Sequence, residues 1–428
     1  MLDSSVFIDR RARIAARLRL EKEILVVGAG HPVPLPENTD QTYPFRAHLE
    51  YFYLTGLECP GGIVVFDPSE TPPRRWISFV PTIAEDERIW EGREQPPGVP
   101  LEGFEAWLTQ RRNRSFVFLG ECLRGMNADP AATARVREVF THARREKDPH
   151  ELGLLRHAAA ATAMGYATVQ PLIAPGITER ALQIELEAGF FRAGGTRTGF
   201  STIVGSGPNS AVLHVAPTSR VVRNGEFVLI DAGAEIDRYV CDVTRTYLAG
   251  TPGAFQSDLH ALVLAAQGRA IERCVPGAEW RDVHLAAAVD LVAGLVDMGV
   301  MRGYAQTLVE RNAHTLFYPH GLGHMVGLGV RDASGMAPGR PRSTEPALKN
   351  LRVDMPLAPG YVMTVEPGLY FIPPLLQDRA RREQFRDAVN WDLVDANLAT
   401  GGVRIEDNVL ICDSGEPEVL TAAIPKTL

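Results

Sequence analysis

The chain is 428 residues long, 45% of its residues are hydrophobic, and its 52 acidic and 44 basic side chains leave a net charge of −8. Such a length predicts two or three domains, and such an apolar fraction is typical of a globular protein that buries a core. The acidic balance, without a basic stripe, argues against a nucleic-acid-binding surface.

Residues 1–145 alternate short apolar runs with helix-like stretches, which predicts an α/β domain over residues 1–148. A charged joint at 144–150 follows, and Pro149 is well placed to start a new helix. We therefore place the domain boundary between residues 148 and 149. The helices and strands expected here are Phe7–Glu23, Ile24–Val27, Gly62–Phe66, Trp76–Val80, Phe116–Leu119 and Pro130–Glu146.

Residues 149–428 group their helices and group their strands, which predicts an α+β domain. The expected helices are Glu151–Val169, Thr178–Ala193, Phe255–Cys274 and Trp280–Met298. The expected strands are Ser201–Gly205, Phe227–Ile230, Tyr239–Tyr247, Met363–Val365, Leu369–Ile372 and Val403–Cys412. The segment Pro338–Leu351 is rich in proline, arginine and serine, and we expect a loop there.

The cysteines are odd in number, scattered, and outside any CxxC pair, which favours free thiols in a reducing compartment. No run of about 18 apolar residues and no apolar leader-type segment occurs, so we expect a cytoplasmic protein without a membrane span. The five cysteines are Cys59, Cys122, Cys241, Cys274 and Cys412.

Two aspartates suggest a cation site. Asp231 ends a fully apolar strand run, Asp242 lies inside a second run, and the segment between them could turn one strand back beside the other. A single aspartate at a strand end is more often a simple cap. A carboxylate inside an apolar strand is costly to bury unpaired, which favours a cation between the two side chains.

Three further segments offer metal ligands. The motif HGLGH carries His320 and His324, and its two glycines disfavour a helix but allow a ligand to approach closely. Glu366 lies between an apolar run and a Pro-Gly turn. Arg404 and Glu406 share one face of a predicted strand. Taken singly, each could instead be a hydrogen-bonded loop histidine or a surface salt-bridge residue.

Together these residues supply four carboxylates and one imidazole, enough negative charge to balance two divalent cations. An oxygen-rich site with one histidine suits Mn²⁺, and Co²⁺ or Zn²⁺ are alternatives. Two metal ions about 3.5–4 Å apart can share carboxylates and activate a water between them for attack on a carbonyl. The tetrahedral oxyanion that results can be held by the same charges.

In these segments the sequence resembles the creatinase-like, pita-bread metallopeptidases, which include methionine aminopeptidase, aminopeptidase P and prolidase. The motifs LIDAGAE, CDVTRT, HGLGH, TVEPG and RIEDN carry the resemblance. It implies that Asp231 binds one metal, that Asp242 and Glu406 bridge both, and that His324 and Glu366 bind the second. It also implies that Glu366 carries a proton for the attacking water.

The resemblance extends to residues around the metals. His214 and His320 match substrate-side catalytic histidines, and Tyr370 and Arg404 match outer substrate-binding residues. The N-terminal segments YPFR, FYLTG and RIWEG look like the domain of the proline-specific branch, which methionine aminopeptidases generally lack. A peptide substrate containing proline and a homodimeric assembly are therefore implied.

Within that branch two activities stay open. Arg352, fourteen residues before Glu366, matches the prolidase arginine that holds a dipeptide's carboxylate, a task that suits a guanidinium. The long stretch from Glu366 to Glu406 also resembles prolidases, which favours an Xaa-Pro dipeptidase. The N-terminal pieces look more like aminopeptidase P, which removes the first residue from longer peptides.

Two residues depart from the family pattern. Arg331 stands before Asp332 where proline-specific members usually carry histidine, and it could add a positive charge for a substrate carboxylate. Val215 replaces an aromatic residue that often follows the substrate-side histidine. A rival reading of another class is a metal-free binding protein on the same fold, against which the complete set of five ligands argues.

Overall fold

The computed structural model describes residues 4–36, 41–72, 74–120 and 129–428. The chain divides into two compact units, Met1–Arg144 and Arg145–Leu428. The domain limit placed between residues 148 and 149 from the sequence stays a prediction. The described cysteines are free thiols, and Cys122 lies outside the described residues.

The first unit is built on a five-stranded mixed sheet in the order β4-β3-β2-β1-β5. Strand β1, next to one edge of this sheet, is buried along its whole length and pairs antiparallel with β2 and parallel with β5. The expected α/β class is confirmed. The strands are β1 Ile24–Gly28, β2 Ile63–Phe66, β3 Trp76–Val80, β4 Val99–Pro100 and β5 Phe116–Gly120. The helices are α1 Ser4–Leu18, α2 Leu49–Thr55, α3 Glu85–Glu91, α4 Phe104–Thr109 and α5 Pro130–Arg145.

The second unit opens with the long helix α6, whose start is encoded locally. The Asp148 side chain caps the helix by accepting from the backbone amide of Glu151, and the Glu151 side chain accepts from the backbone amide of Asp148. Pro149 occupies the first turn. The helices of this unit are α6 Pro149–Val169, α7 Glu179–Arg192, α8 Ala254–Glu272, α9 Trp280–Asp297, α10 Ala305–Glu310, α11 Pro373–Leu376, α12 Arg379–Gln384 and α13 Trp391–Ala396. No helix among the described residues is long and apolar enough to cross a bilayer.

Small antiparallel sheets carry the rest of the second unit, notably β7-β8-β11, β14-β17-β18 and β15-β16. The strands up to residue 249 are β6 Arg197–Thr198, β7 Ile203–Ser206, β8 Glu226–Ala232, β9 Ala234–Ile236, β10 Tyr239–Val240 and β11 Val243–Ala249. Those that follow are β12 Gly335–Met336, β13 Val353–Asp354, β14 Val362–Val365, β15 Gly368–Tyr370, β16 Gly402–Arg404, β17 Asp407–Leu410 and β18 Glu418–Val419. The segment Pro338–Leu351 is a loop, as expected.

Two strands expected to be continuous are interrupted beside predicted ligands. The run Tyr239–Tyr247 breaks between β10 and β11, where the carbonyl of Cys241 approaches Gly233 so closely that a Cβ there would lie 1.7 Å from its oxygen. The run Val403–Cys412 breaks between β16 and β17, where the chain leaves β15 and pairs with β14. At that break the amide of Glu406 donates to the carbonyl of Thr244, 3.0 Å away.

Apolar clusters hold the ligand-bearing strands from behind. Tyr166 of α6 and Phe190 of α7 pack with Ile230 of β8 and Val243 of β11 in one buried cluster. A second cluster joins Leu259 and Val263 of α8 to Leu291 and Leu295 of α9.

A third apolar cluster lies next to the predicted ligands. It contains Met325, beside His324 in the glycine-rich loop, together with Met363 of β14 and Val409 of β17. Close packing of this kind limits how far the ligand side chains can move.

Candidate metal centre and its cavity

The structure brings the ends of several strands together, and the predicted ligands lie at those ends. Asp231 is in β8 and lies opposite Thr244 of β11, while Asp242 immediately precedes β11. Glu366 immediately follows β14, and Glu406 immediately precedes β17. Since β14 and β17 pair antiparallel with Val365 opposite Asp407, the two glutamates leave their strands at the same end.

His324 comes from the glycine-rich loop and reaches the same point. One ligand atom from each of Asp242, His324 and Glu406 lies within 4.8 Å of the others. The Nε2 atom of His324 is 3.4 Å from Oδ2 of Asp242 and 3.7 Å from Oε1 of Glu366. The loop can approach because a Cβ at Gly323 would lie 2.0 Å from the carbonyl oxygen of Thr364.

Like charges are crowded in this buried site. Burial raises the pKa of Asp231 to about 7; Arg404 opposes the rise, and the charges of Asp242 and Glu366 add to it. Burial also raises the pKa of Glu406, and the same neighbouring carboxylates reinforce the effect. Carboxylates held this close are costly to ionise together unless a cation lies among them.

Two observations test whether these residues fit metal ions. Oδ2 of Asp231 accepts from Nη2 of Arg404 at 2.6 Å, whereas its buried Oδ1 has no hydrogen-bond partner among the described residues. Nδ1 of His324 lies 3.0 Å from the carbonyl oxygen of Met325, which can only accept, so the proton is on Nδ1 and Nε2 keeps its lone pair. Both atoms suit coordination, and the donor set therefore fits divalent metal ions.

Threonine and asparagine side chains orient the ligands. The hydroxyl of Thr244 donates to Oε2 of Glu406 at 2.6 Å, and that of Thr364 donates to Oε1 of Glu366 at 3.2 Å. The side chain of Asn408 accepts from the backbone amide of Asp242 at 3.0 Å and donates to the backbone carbonyl of Asp242 at 2.6 Å. None of these partners was identified from the sequence. Thr244 carried a usable signal, because it lies two residues after Asp242 and so faces the same way along an extended chain.

A second chain of hydrogen bonds leads from Asp231 to His320. Arg404 donates to the hydroxyl oxygen of Tyr370 at 2.8 Å, and that hydroxyl lies 2.8 Å from Nε2 of His320. Nδ1 of His320 bonds the carbonyl of Gly321 at 2.8 Å, so Nε2 accepts from Tyr370. Burial lowers the pKa of His320 to about 3, which keeps the ring neutral.

A cavity of about 960 Å³ opens above the ligands. Its lining includes the five predicted ligands, and the predicted substrate residues His214, His320, Arg331, Arg352 and Arg404 line it as well. Tyr370 is fully buried and is absent from the lining, so it contacts the cavity only through His320 and Arg404. Val215 lines the wall beside His214.

The loop that carries Arg331 is anchored at both ends. Nζ of Lys147 lies 3.0 Å from Oδ2 of Asp332, and both side chains are fully buried. The same carboxylate oxygen accepts from the amide of Leu328 at 3.1 Å, and the amide of Val240 donates to Gly327 at 2.9 Å. These contacts hold the segment so that the exposed Arg331 lies at the cavity.

Comparison with known proteins agrees with this geometry. The model of metallopeptidase family M24 matches residues 153–413, and the model of the aminopeptidase P N-terminal domain matches residues 7–106. The chain belongs to metallopeptidase family M24. The resemblance read from the ligand motifs is therefore confirmed, as is the α/β domain followed by an α+β pita-bread domain.

Individual relatives cover almost the whole M24 chain. It is 30% identical to an Xaa-Pro aminopeptidase of Haemophilus influenzae, with 100% of this chain and 96% of that protein covered. It is 29% identical to the human Xaa-Pro dipeptidase, covering 99% of this chain and 92% of that protein. An aminopeptidase structure from Pseudomonas aeruginosa superposes with a TM-score of 0.79 at 26% identity, over 99% of this chain and 96% of the other.

A structure of Escherichia coli aminopeptidase P with the inhibitor Pro-Leu gives the same TM-score of 0.79 at 26% identity, over 99% of this chain and 95% of that one. The relatives thus include two named activities, an aminopeptidase and a dipeptidase, within one family and one fold.

Proposed function

We propose that this chain hydrolyses the peptide bond that precedes proline, and that dipeptides are its preferred substrates. Support for proline specificity comes from relatives named Xaa-Pro aminopeptidase and Xaa-Pro dipeptidase, which match the chain over nearly its full length. Support for hydrolysis comes from the buried group of predicted ligands at the base of a large cavity.

Asp231, Asp242, His324, Glu366 and Glu406 would hold two divalent ions, and we propose Mn²⁺, with Co²⁺ or Zn²⁺ as alternatives. When bound, such ions polarise a carbonyl and lower the pKa of water. In this proposal Glu366 takes a proton from the attacking water and passes it to the proline nitrogen. Hydroxide adds to the carbonyl carbon, the C–N bond breaks, and the proline product leaves with a protonated amine.

Two histidines would position the substrate. Burial and the nearby charges of Arg404, Arg331 and Arg352 lower the pKa of His214, so its ring is neutral at pH 7 and can bond a substrate amide. The hydrogen bond from the Tyr370 hydroxyl to Nε2 fixes the tautomer of His320. A neutral ring at each position avoids repulsion with the metal ions.

The dipeptide preference rests on one observation, the unpaired arginines of the cavity. In the described part of the chain neither Arg331 nor Arg352 has a hydrogen bond or an ion pair, and both line the cavity that contains Glu366. Two guanidinium groups without acidic partners suit a substrate carboxylate, such as the one on the proline of a dipeptide.

Aminopeptidase P activity on longer peptides is the second candidate. The match of residues 7–106 to the aminopeptidase P N-terminal domain favours it, as do superposable structures bearing that name. The human Xaa-Pro dipeptidase matches the same part of the chain, so the N-terminal domain alone does not exclude dipeptides.

A side-by-side assay separates the two. Purified protein with added Mn²⁺ is given Ala-Pro, Ala-Pro-Ala and, as a control, Ala-Ala, and the released amino acids are measured. We expect free proline from Ala-Pro and little free alanine from Ala-Ala, and the Glu366→Gln variant should release no amino acid from either peptide. Rapid cleavage of the tripeptide with Ala-Pro untouched would support the aminopeptidase and contradict the dipeptidase. No hydrolysis and no bound metal by elemental analysis would favour a binding protein.

We further propose a homodimer located in the cytoplasm. The homodimer follows from the family resemblance, and the cytoplasmic location follows from the scattered cysteines, which are free thiols among the described residues. Light scattering of the purified protein and fractionation of the source cells measure the two properties directly.

A further inference from the structure

The cavity wall away from the metal ligands is strongly basic, although the chain as a whole is acidic. Among the described residues that line it, Glu187 is the only carboxylate other than the predicted ligands, and it already accepts from Gln183 at 2.7 Å. Five basic side chains share this wall: Arg180, Arg331, Arg342, Lys349 and Arg352. Within the described residues, the last four form no ion pair.

Neighbouring arginines show that pairing is usual in this part of the fold. Arg340 lies 2.8 Å from both Glu279 and Asp354, and Arg281 pairs with the same Asp354. Arg342, two residues further along, instead donates only to the carbonyl of Leu351 at 3.3 Å. Unlike these two arginines, Arg342 faces the cavity without an acidic partner among the described residues, so a ligand can reach its charge.

The four unpaired cations belong to two neighbouring parts of the cavity wall. Arg331 and Arg352, the inner pair, are those proposed above to hold the dipeptide carboxylate, and Arg352 follows Leu351, which packs against Gly321 of the glycine-rich loop. Arg342 and Lys349, the outer pair, belong to the loop that borders the cavity, and Nη1 of Arg342 lies 3.3 Å from the carbonyl oxygen of Leu351. Arg342 thus adjoins Arg352 along the same wall.

A dipeptide would use only the inner pair, because its chain ends at the proline carboxylate. One more residue of extended chain adds about 3.3–3.6 Å, enough to carry a charge towards the outer pair. Exposed like charges repel each other only weakly in water, and a bound carboxylate removes that repulsion. The outer pair therefore offers a place for negative charge on a residue that follows proline.

We propose that Arg342 and Lys349 recognise a second carboxylate, so that peptides with an acidic residue directly after proline, of the type Xaa-Pro-Glu, are a substrate class of this enzyme. The inference rests on the proposed hydrolysis of Xaa-Pro bonds and adds no new chemical step. The same C–N bond is cleaved by water, and the products are the free first residue and Pro-Glu.

The test compares two substrates that differ only in charge, Ala-Pro-Glu and Ala-Pro-Gln, with Ala-Pro as the reference and Mn²⁺ present. Electrostatic attraction of a charged substrate raises association rates by roughly 10-fold or more at low ionic strength. We expect kcat/KM for the glutamate peptide to exceed that for the glutamine peptide about 10-fold, and the ratio to shrink in 0.5 M NaCl.

The variant Arg342→Gln with Lys349→Gln should abolish this ratio while leaving kcat/KM for Ala-Pro unchanged. A control with the same loss of charge, Lys22→Gln with Arg386→Gln, removes exposed cations outside the cavity and should keep the ratio. Melting temperatures of both variants confirm that they are folded.

Equal rates for the two tripeptides, or hydrolysis of Ala-Pro alone, would overturn this proposal without affecting the proposed function. A glutamate preference that survives in the Arg342 and Lys349 variant would overturn the assignment to these side chains. Failure to cleave Ala-Pro and both tripeptides would instead overturn the proposed function itself.

Discussion

The floor of the cavity and its rim both crowd like charges together, but they hold them in opposite ways. The floor consists of the five predicted metal ligands; Asp242 is 5% exposed and Glu406 2% exposed. The rim consists of exposed cations that have no acidic partner in the described part of the chain: Arg331, Arg342, Lys349 and Arg352. On the buried floor the repulsion between carboxylates is strong, and metal ions would relieve it. On the rim, water screens the repulsion between the cations, so they can stay unpaired and bind anions.

Because of this difference, substitutions on the floor and substitutions on the rim should change different properties of the protein. Changes near the floor should affect the binding of metal or the stability of the fold, because buried polar groups lose partners that water cannot replace. Changes on the rim should affect the binding of substrate and leave stability nearly unaltered. The predictions below examine that division, beginning with the largest effect.

Lys147→Met breaks the buried ion pair with Asp332, beneath the loop of Arg331. Because the carboxylate stays buried and loses the attraction of this ammonium group, we expect the free energy of unfolding to fall by about 3–5 kcal/mol. Urea denaturation measures this change. The variant Lys147→Met with Asp332→Asn should recover part of the loss, since no buried charge is left alone. A fall of less than about 1 kcal/mol in the single variant would contradict the structure of this anchor.

Arg352→Ala tests the rim. If the guanidinium holds the dipeptide carboxylate, KM for Ala-Pro should rise roughly 10- to 150-fold, the equivalent of about 1.5–3 kcal/mol for a charged hydrogen bond. The value of kcat should change little, because the lost contact binds substrate and transition state alike. Arg352→Lys keeps the charge and should give a smaller rise. A fall in kcat at constant KM would contradict the carboxylate role.

Thr244→Val removes the hydroxyl that orients Glu406 while keeping the shape of the side chain. Loss of a hydrogen bond to a ligand typically weakens metal binding about 10- to 100-fold, and we expect a decrease in that range. Competition with a chelator for Mn²⁺ gives the affinity. Thr307→Val, at an exposed position of α10, is the matched control and should not change it. Unchanged affinity in both variants would show that Glu406 does not need this bond.

His314 gives the fold a pH dependence that is separate from the metal site. Burial lowers its pKa to about 3, and its Nδ1 atom has no hydrogen-bond partner among the described residues. In the unfolded chain this histidine takes up a proton near pH 6.5, whereas in the folded chain it stays neutral down to about pH 3. Its contribution to the free energy of unfolding is therefore complete above pH 6.5 and is lost as the pH falls towards 3. At pH 5 the loss should be about 2 kcal/mol.

Urea unfolding of chelator-treated protein at pH 7 and pH 5 measures this loss. His314→Gln has no titrating group at this position, so its difference between the two pH values should be smaller than that of the wild type by the same amount. Equal differences for both proteins would show that His314 is protonated in the folded state.

Local pattern was enough to predict both domain classes and nearly all of the long helices, and it singled out the five residues proposed as metal ligands. The reason is that each ligand adjoins an apolar run or a glycine motif that can be recognised without knowing what packs against it. The capped start of α6 at Asp148 and Pro149 is a signal of the same local kind.

Only the tertiary structure decided what lies beside what. Glu406 receives its hydrogen bond from Thr244, 162 residues away, and Asp332 pairs with Lys147 across 185 residues. The two interrupted strands, the position of Tyr370 behind the cavity wall and the gathering of Arg342 with Lys349 on the rim have the same origin. Periodicity records which face of a segment is apolar, but the partner of each segment is set by long-range packing, which no local pattern contains.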